Sequence, residues 1–283
     1  MEPEIKTVVV LGSGTMGNGI TQSVAMSKKY KVFMVDVNQA VIDNGMKIIQ
    51  KSLGRIVKKG KMTDDESKAV LSKITATMDF ESVKEADFVV EAIPEIMDLK
   101  IDTFKKLDEL CPSHTIFGTN TSSLPITAIA ATIDRPESVI GTHFMNPVPI
   151  MKGVEVIKGR MTSEKTIDRT LSFLESFGKK PCVAVDYAGF VNSRLLNLYM
   201  NEAVLSVMDG NSPKEVDKIM LYTANMPIGP LRLLDMVGID VHLNIMEILR
   251  KEFGDRFRAA PLTRQMVSAG HLGMKTGRGF FEY

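Results

Sequence analysis

The sequence predicts an α/β protein with an N-terminal doubly wound sheet followed by an all-helical C-terminal domain. Up to Asp186, short β-rich runs alternate with helical patterns, which is the order typical of a doubly wound sheet. After Asp186, helical patterns broken by Gly and Pro follow one another. We therefore expect two domains, residues 1–187 and residues 188–283.

Each element follows from a local pattern. Val41–Lys59 has the length of a long helix, and Thr63 with Glu66 forms the capping-box pattern that begins another helix. Strands are expected at Ile5–Leu11, Tyr30–Val35, Ile74–Met78, Phe88–Ile93, Thr115–Thr119, Val139–Phe144, Val154–Ile157 and Cys182–Val185. The other helices are expected at about Met16–Lys28, Phe190–Asp209, Pro213–Ala224 and Val241–Phe253.

Composition excludes several classes of function. The chain has 283 residues, 44% of them apolar, and a net charge of +1, so nothing favours nucleic acid as a partner. The acidic start Met1–Glu4 lacks the features of a secretory signal, and no apolar run approaches membrane-spanning length. Cys111 and Cys182 lack a metal-ligand spacing. We expect a cytoplasmic protein with no membrane segment and no metal.

A glycine motif predicts a dinucleotide site. Gly12-Ser13-Gly14-Thr15-Met16-Gly17 is a G-x-G-x-x-G motif that follows an apolar strand and begins a helix. Gly12 would allow the tight turn, Gly14 the approach of a pyrophosphate, and Gly17 close helix–strand packing. Asp36 ends the second strand, where a carboxylate binds ribose hydroxyls and repels a 2′-phosphate. This is the Rossmann-type pattern, with NAD preferred over NADP. The alternative is a glycine-rich turn beside an ordinary exposed aspartate.

His143 is the candidate acid–base residue. A dehydrogenase acting on an alcohol needs a group that takes up the hydroxyl proton near neutral pH. His143 ends a β-run, which places it at the carboxyl edge of the sheet, where open α/β sheets bind ligands. Glu155, on the next strand-like segment, would orient the imidazole and stabilise its charged form. A structural histidine at a strand end is the alternative. His114, His242 and His271 show no distinguishing partners in the sequence.

Several strings resemble the 3-hydroxyacyl-CoA dehydrogenase family over the whole chain. They are Val89–Ile93, Asn120–Leu124, His143–Pro149 continuing to Ile157, Gly189–Leu196 and Lys275–Phe280. The resemblance implies an NAD-dependent, short-chain (S)-3-hydroxyacyl-CoA dehydrogenase that forms a homodimer through its helical domain. It also implies roles for individual residues. His143 would be the general acid/base, Glu155 its orienting carboxylate, and Ser122 a contact to the substrate C3 oxygen. Cofactor contacts would come from Glu95, Lys100, Asn146 and Lys275, and coenzyme A contacts from Ser52 and Lys59. The Ser122 loop could instead cap the helix that begins near Pro125.

The domain junction departs from the family pattern. The family has Gly-Phe-x-x-Asn-Arg at the domain junction, with the Asn touching the substrate, whereas here Ser193 holds that position and Asn192 precedes it. One helical position turns a side chain by about 100°. Either Ser193 supplies the hydrogen bond, or the helix start is shifted and Asn192 supplies it.

A basic helix face predicts the carrier site, but other interpretations remain. Lys51, Arg55, Lys58 and Lys59 recur at helical spacing and form either a solvated face or a site for coenzyme A phosphates. Two other functions stay open: a dehydrogenase of a free hydroxy or sugar acid on the same scaffold, and a non-catalytic NAD-binding or structural relative. The sequence does not give the acyl chain length.

Overall fold

The computed structural model describes residues 3–283, which form two compact units. The first unit extends to Asp186, and the second is Tyr187–Tyr283. The strands of the first unit are β1 (Thr7–Leu11), β2 (Lys31–Val35), β3 (Ile74–Thr77), β4 (Phe88–Glu91), β5 (Ile116–Thr119), β6 (Val139–Phe144), β7 (Gly153–Lys158) and β8 (Lys180–Val185). They form one sheet in the order β3-β2-β1-β4-β5-β6-β7-β8.

The sheet changes direction once. The strands β1 to β6 are all parallel, β7 runs antiparallel to β6, and β8 is parallel to β7. Strand–helix alternation does not predict this reversal. It occurs because only residues 145–152 join β6 to β7, whereas a parallel return needs a crossover of about a dozen residues or more. As a result, β7 and β8 begin at the edge where β6 ends.

Helices cover both faces of the parallel part of the sheet. They are α1 (Thr15–Met26), α2 (Gln39–Lys58), α3 (Asp64–Leu71), α4 (Met97–Leu110), α5 (Ile126–Ala130) and α6 (Glu164–Ser176). Val8, Val9 and Val10 of β1 are all fully buried, as expected for a strand covered on both sides. The predicted capping box is confirmed, since Thr63 Oγ1 accepts a bond from Glu66 N, and Glu66 Oε2 accepts one from Thr63 N.

The second unit is helical, so the predicted fold class is confirmed. Its helices are α7 (Asn192–Met208), α8 (Pro213–Thr223), α9 (Pro230–Val237), α10 (Ile239–Phe253) and α11 (Pro261–Ser268). The predicted start of the first of them at Phe190 is wrong, because Gly189 (φ +70°) and Phe190 (φ +47°) adopt left-handed backbone. The helices α9 and α11 were not among the three helices predicted for this domain. Among residues 3–283, no helix combines the length and the apolar character needed to cross a bilayer.

Candidate active site

The glycine motif forms the turn between β1 and α1. Gly12 has φ +92°, and a Cβ there would lie 2.5 Å from the carbonyl oxygen of Ala92. A Cβ on Gly17 would lie 1.8 Å from the carbonyl oxygen of Gly12, so both positions require glycine. Gly14 is exposed and borders open space. The first turn of α1, from Thr15, has no side-chain cap and no acidic residue, so its N–H groups are available to an anion.

Beside this turn lies a cavity of about 620 Å³. Its lining includes Gly14, Met16, Asp36, Val41, Met78 and Leu99. Oδ2 of Asp36 accepts hydrogen bonds from the backbone N (2.8 Å) and Oγ (2.9 Å) of Ser13, which fix the carboxylate at the end of β2. An anion-binding helix terminus, a fixed carboxylate and apolar walls together fit NAD.

A buried ion pair lies next to the cavity wall. Glu91 and Lys100 are 0% and 1% exposed, and Lys100 Nζ lies 2.6 Å from Glu91 Oε1. Glu91 also accepts hydrogen bonds from Thr119 Oγ1 (2.6 Å) and Ile93 N (2.8 Å). Lys100 Nζ lies 3.3 Å from Glu95 Oε2, and the Glu95 side chain is 39% exposed. Both residues are predicted cofactor contacts; Glu95 presents an accessible carboxylate, whereas the Lys100 ammonium is enclosed.

The Glu95 carboxylate organises the loop that carries Ser122. Its Oε1 accepts hydrogen bonds from Thr121 Oγ1 (2.5 Å), Ser122 N (3.0 Å) and Ser123 N (3.3 Å). Burial by itself would raise the pKa of Glu95, but the bonds from Thr121 and Ser122 and the charge of Lys100 outweigh it, so this pKa lies below the usual value. Glu95 is consequently ionised at neutral pH and holds Ser122 just beyond the end of β5.

Ser122 does not cap the following helix. The first N–H groups of α5, those of Ile126 and Thr127, donate to the carboxylate of Asp186 at 3.1 and 2.7 Å. The interpretation of this loop as a helix cap is therefore wrong, because a carboxylate distant in sequence already fills the capping position.

His143 and Glu155 form a buried pair at the edge where β6 ends. They are direct partners in the antiparallel register of β6 and β7, and Nδ1 of His143 lies 2.8 Å from Oε2 of Glu155. Their side chains are 9% and 11% exposed. The end of β6 is fixed from the neighbouring strand, since Phe144 N donates to Asn120 Oδ1 at 2.9 Å. Asn146 follows on the loop from β6 to β7 and is exposed.

The basic residues of α2 lie opposite its packed side. Its buried residues are Ile42, Gly45, Ile49 and Leu53. Lys51, Arg55, Lys58 and Lys59 are exposed, and within residues 3–283 none of them forms an ion pair. Ser52 is half-buried on the same helix. The four cations are accordingly available to an external anion.

In the second unit, α7 begins at the departure from the family pattern. Asn192 is its first residue and is half-buried, whereas Ser193 is 8% exposed. Asn197, one turn further, donates from Nδ2 to the carbonyl of Ser193 (2.8 Å) and lies 2.7 Å through Oδ1 from Nδ1 of His242. His242 thus has a specific buried partner, contrary to expectation, because α10 packs against α7 far from it in sequence.

The remaining site residue, Lys275, lies in a short turn at Met274–Thr276. Its Nζ is 2.6 Å from the carboxylate of Asp240 at the start of α10.

His114 also has a partner that we did not expect, Asp87 Oδ1 at 2.7 Å. Asp87 immediately precedes β4, and His114 lies just before β5. This pair therefore lies at the edge of the sheet where the parallel strands begin, opposite the edge that carries His143.

Sequence reasoning missed two polar residues that organise the site, Glu91 and Asn120. A signal for Glu91 exists: a glutamate that ends the apolar run of β4 must find a buried partner. For Asn120 we find no comparable local signal, since its side chain acts on the neighbouring strand.

The fold and the site together define an NAD-binding dehydrogenase with a Rossmann-type unit. Comparison with known proteins gives the family. Residues 7–187 match the 3-hydroxyacyl-CoA dehydrogenase NAD-binding domain, and residues 189–283 match the C-terminal domain of the same enzymes. The chain belongs to the 3-hydroxyacyl-CoA dehydrogenase family and is an NAD-dependent enzyme of that family.

Individual relatives are similar over their full length. A probable 3-hydroxybutyryl-CoA dehydrogenase of Bacillus subtilis (strain 168) is 47% identical over 99% of this chain and 98% of that protein. The 3-hydroxybutyryl-CoA dehydrogenase of Clostridioides difficile is 45% identical over 98% and 99%. The crystal structure of (S)-3-hydroxybutyryl-CoA dehydrogenase from Ralstonia eutropha superposes with a TM-score of 0.94 at 41% identity, covering 99% of both chains.

Proposed function

We propose that this enzyme interconverts short-chain (S)-3-hydroxyacyl-CoA, such as 3-hydroxybutyryl-CoA, and the 3-oxoacyl-CoA, with His143 as the general acid/base. The observation that carries this is the buried His143–Glu155 pair at the ligand-binding edge of the sheet. The names of the full-length relatives support the short acyl chain.

The proton chemistry follows from the geometry of this pair. The Glu155 carboxylate accepts a hydrogen bond from Nδ1–H of the neutral imidazole, so Nε2 carries the lone pair that takes up the hydroxyl proton. The same carboxylate stabilises the imidazolium that results. We assign Ser122 to the C3 oxygen, and a further substrate contact to Ser193 or Asn192.

The proposed cofactor contacts of the first unit follow the course of the dinucleotide. When bound, NAD supplies the acceptor for the hydride from C3, or as NADH the donor. The N-terminus of α1 would hold the pyrophosphate through the residues from Gly12 to Gly17, and Asp36 the adenosine ribose. Glu95 and Asn146 would contact the rest of the cofactor, whereas Lys100, being enclosed, would act through Glu95. The resemblance to the family also assigns a cofactor contact to Lys275.

The basic face of α2 is the proposed coenzyme A site. Lys51, Arg55, Lys58 and Lys59 would neutralise its phosphates, with Ser52 donating a hydrogen bond. Their lack of ion pairs within residues 3–283 supports this role.

We further propose that residues 1–187 form the cofactor domain and residues 188–283 the substrate-binding and dimerisation domain of a cytoplasmic homodimer. The exposed apolar side chains of the second unit, among them Ile219, Tyr222, Met236 and Val241, support an interface there. Light scattering on the purified protein would give a mass of two chains if this is right, and of one chain if it is wrong.

The test of the proposed reaction is NADH oxidation with acetoacetyl-CoA and, in parallel, with free acetoacetate. We expect turnover with the thioester alone. Turnover with the free acid would instead indicate a dehydrogenase of free hydroxy acids, and NADH binding without any turnover would indicate a non-catalytic relative. His143→Gln should lower kcat by about 100-fold or more with NADH binding retained. A rate near that of the wild type would exclude His143 as the acid/base.

A further inference from the structure

The loop of residues 145–152 joins His143 on β6 to Glu155 on β7 and carries Asn146. Asn146 and Pro147 are exposed, whereas Val148 is 1% exposed. Ile150 N and Met151 N both donate to the carbonyl of Pro147 at 3.0 Å. The loop is therefore a tight turn at the edge where β6 ends, with Asn146 and Pro147 exposed and Val148 buried.

A buried lysine holds this loop from one side. Lys179 is 8% exposed, and its Nζ lies 2.5 Å from the carbonyl oxygen of Val148 and 2.9 Å from that of Met151. Within residues 3–283 its ammonium has no carboxylate partner. Burial lowers the pKa of Lys179. A buried ammonium is costly unless it is hydrogen-bonded, so the two carbonyls are specific partners and not incidental neighbours.

The reversed end of the sheet brings Lys179 to this loop. Lys179 immediately precedes β8, and β8 begins at the edge where β6 ends. Lys180 N donates to the carbonyl of Lys152 at 2.8 Å, which fixes the register. If β8 ran in the same direction as β1 to β6, the lysine that precedes it would lie at the opposite edge of the sheet.

The helix of the glycine motif holds the loop from its other side. A Cβ on Gly19 of α1 would lie 3.0 Å from Cβ of Val148, so helix and loop are in close contact. Val148 thus lies between α1, which begins at the proposed pyrophosphate site, and the ammonium of Lys179. The position of Asn146 relative to that site depends on both supports.

We propose that Lys179 is a positioning residue for the nicotinamide end of the cofactor, acting through the 145–152 loop and Asn146. This inference rests on the proposed function in one respect. An acid/base at His143 must reach the oxygen on the carbon that reacts with the nicotinamide, so the nicotinamide end of the cofactor would lie beside His143 and Asn146. The adenosine end would lie at Asp36, which lines the cavity beside β1 and β2.

The test compares the binding of NADH with that of ADP-ribose, which lacks the nicotinamide. Lys179→Met removes the ammonium and keeps most of the apolar stem, and Lys180→Met, at the exposed adjacent residue, is the matched control. We expect Lys179→Met to raise the Kd for NADH about tenfold, as for the loss of one charge-assisted contact, while the Kd for ADP-ribose stays within about twofold. Lys180→Met should change neither Kd.

Equal weakening of NADH and ADP-ribose by Lys179→Met would overturn the proposal, because it would mean general damage to the site. No change in either Kd would overturn it as well. If Lys179→Met does not fold, as judged by its thermal melt, Lys179→Gln is the second variant: its neutral amide is one bond shorter and cannot restore the charge-assisted contacts to Val148 and Met151, so it should show the same selective loss.

Turnover separates this inference from the proposed reaction. In Lys179→Met, kcat for acetoacetyl-CoA should fall about tenfold or more because the reacting ring is misplaced. If the wild type does not reduce acetoacetyl-CoA, the proposed reaction fails, yet a selective loss of NADH binding would still support the role of Lys179.

Discussion

Nδ1 of His143 lies 2.8 Å from Oε2 of Glu155, and the two residues face each other directly across the antiparallel strands β6 and β7. Strand pairing fixes both backbones, so the imidazole needs no flexible loop to meet its carboxylate. Both side chains are about nine-tenths buried, which strengthens their electrostatic interaction.

The first prediction concerns this carboxylate. Glu155→Gln keeps the shape and one acceptor oxygen but removes the charge that stabilises the imidazolium. We expect kcat for acetoacetyl-CoA reduction to fall about 10- to 100-fold, with KM for NADH little changed. Glu175→Gln, at an exposed position of α6, is the control. Unchanged kcat in Glu155→Gln would show that His143 works without this partner.

The second prediction concerns cofactor selectivity. Ser13 fixes Asp36 with two hydrogen bonds, and Val37, the next residue, is uncharged and 90% exposed. Asp36→Ser combined with Val37→Arg should lower the ratio of kcat/KM for NADH to that for NADPH by about tenfold or more. Asp43→Ser, on the exposed face of α2, should leave the ratio unchanged. An unchanged NADH/NADPH ratio of kcat/KM in the double variant would mean that residues other than Asp36 and Val37 discriminate between the two cofactors.

The third prediction concerns the basic face of α2. The double variant Lys58→Glu, Lys59→Glu should raise KM for acetoacetyl-CoA about tenfold and leave KM for NADH unchanged, because the new carboxylates would repel the phosphates of coenzyme A. Added salt should narrow the difference between variant and wild type. The control is Lys105→Glu with Lys106→Glu, at exposed positions of α4. If both pairs act alike, the effect reflects net charge and not a site.

The fourth prediction concerns stability and pH. Burial lowers the pKa of His242 from 6.5 to about 4. Above pH 6.5 both folded and unfolded chains hold this histidine neutral; as pH falls towards 4, only the unfolded chain takes up the proton. The free energy of unfolding should therefore fall by about 3 kcal/mol from this group between pH 6.5 and 4.

His242→Gln tests this prediction, because it keeps a donor for Asn197 Oδ1 but cannot ionise. Urea unfolding at pH 7 and pH 4.5 should show a smaller loss of stability in His242→Gln than in the wild type. His271→Gln, at a half-buried position, is the control. An equal loss in wild type and His242→Gln would mean that other groups account for the acid sensitivity.

Much of the fold follows from local sequence. The β1 strand is a continuous apolar run, and the glycines at 12 and 17 are required by contacts within the turn itself, so pattern and spacing are sufficient to identify them. The resemblance of the whole chain to one family also correctly indicated the reaction class. The start of α7 was less predictable. Left-handed backbone at Gly189 and Phe190 delays the helix until Asn192, and neither Phe190 nor Val191 is a residue type that ordinarily breaks a helix.

Contacts between distant segments were not predictable in the same way. Asp186 caps α5, and Asn197 meets His242. Each partner alone is an ordinary polar residue, and only the packing of its element decides what it meets.

The sequence by itself determined the dinucleotide-binding turn, the acid at Asp36 and the position of His143 at a strand end, because each depends on residues adjacent along the chain. The pairing of Glu155 with His143 was expected from the sequence, but only the tertiary structure decided that it forms across antiparallel strands, that Glu91 encloses Lys100, and that Lys179 supports the Asn146 loop. The physical reason is the reversal of β7 and β8 and the pairing of buried charges. Both depend on how strands and helices pack, and neither leaves a periodic pattern in the chain.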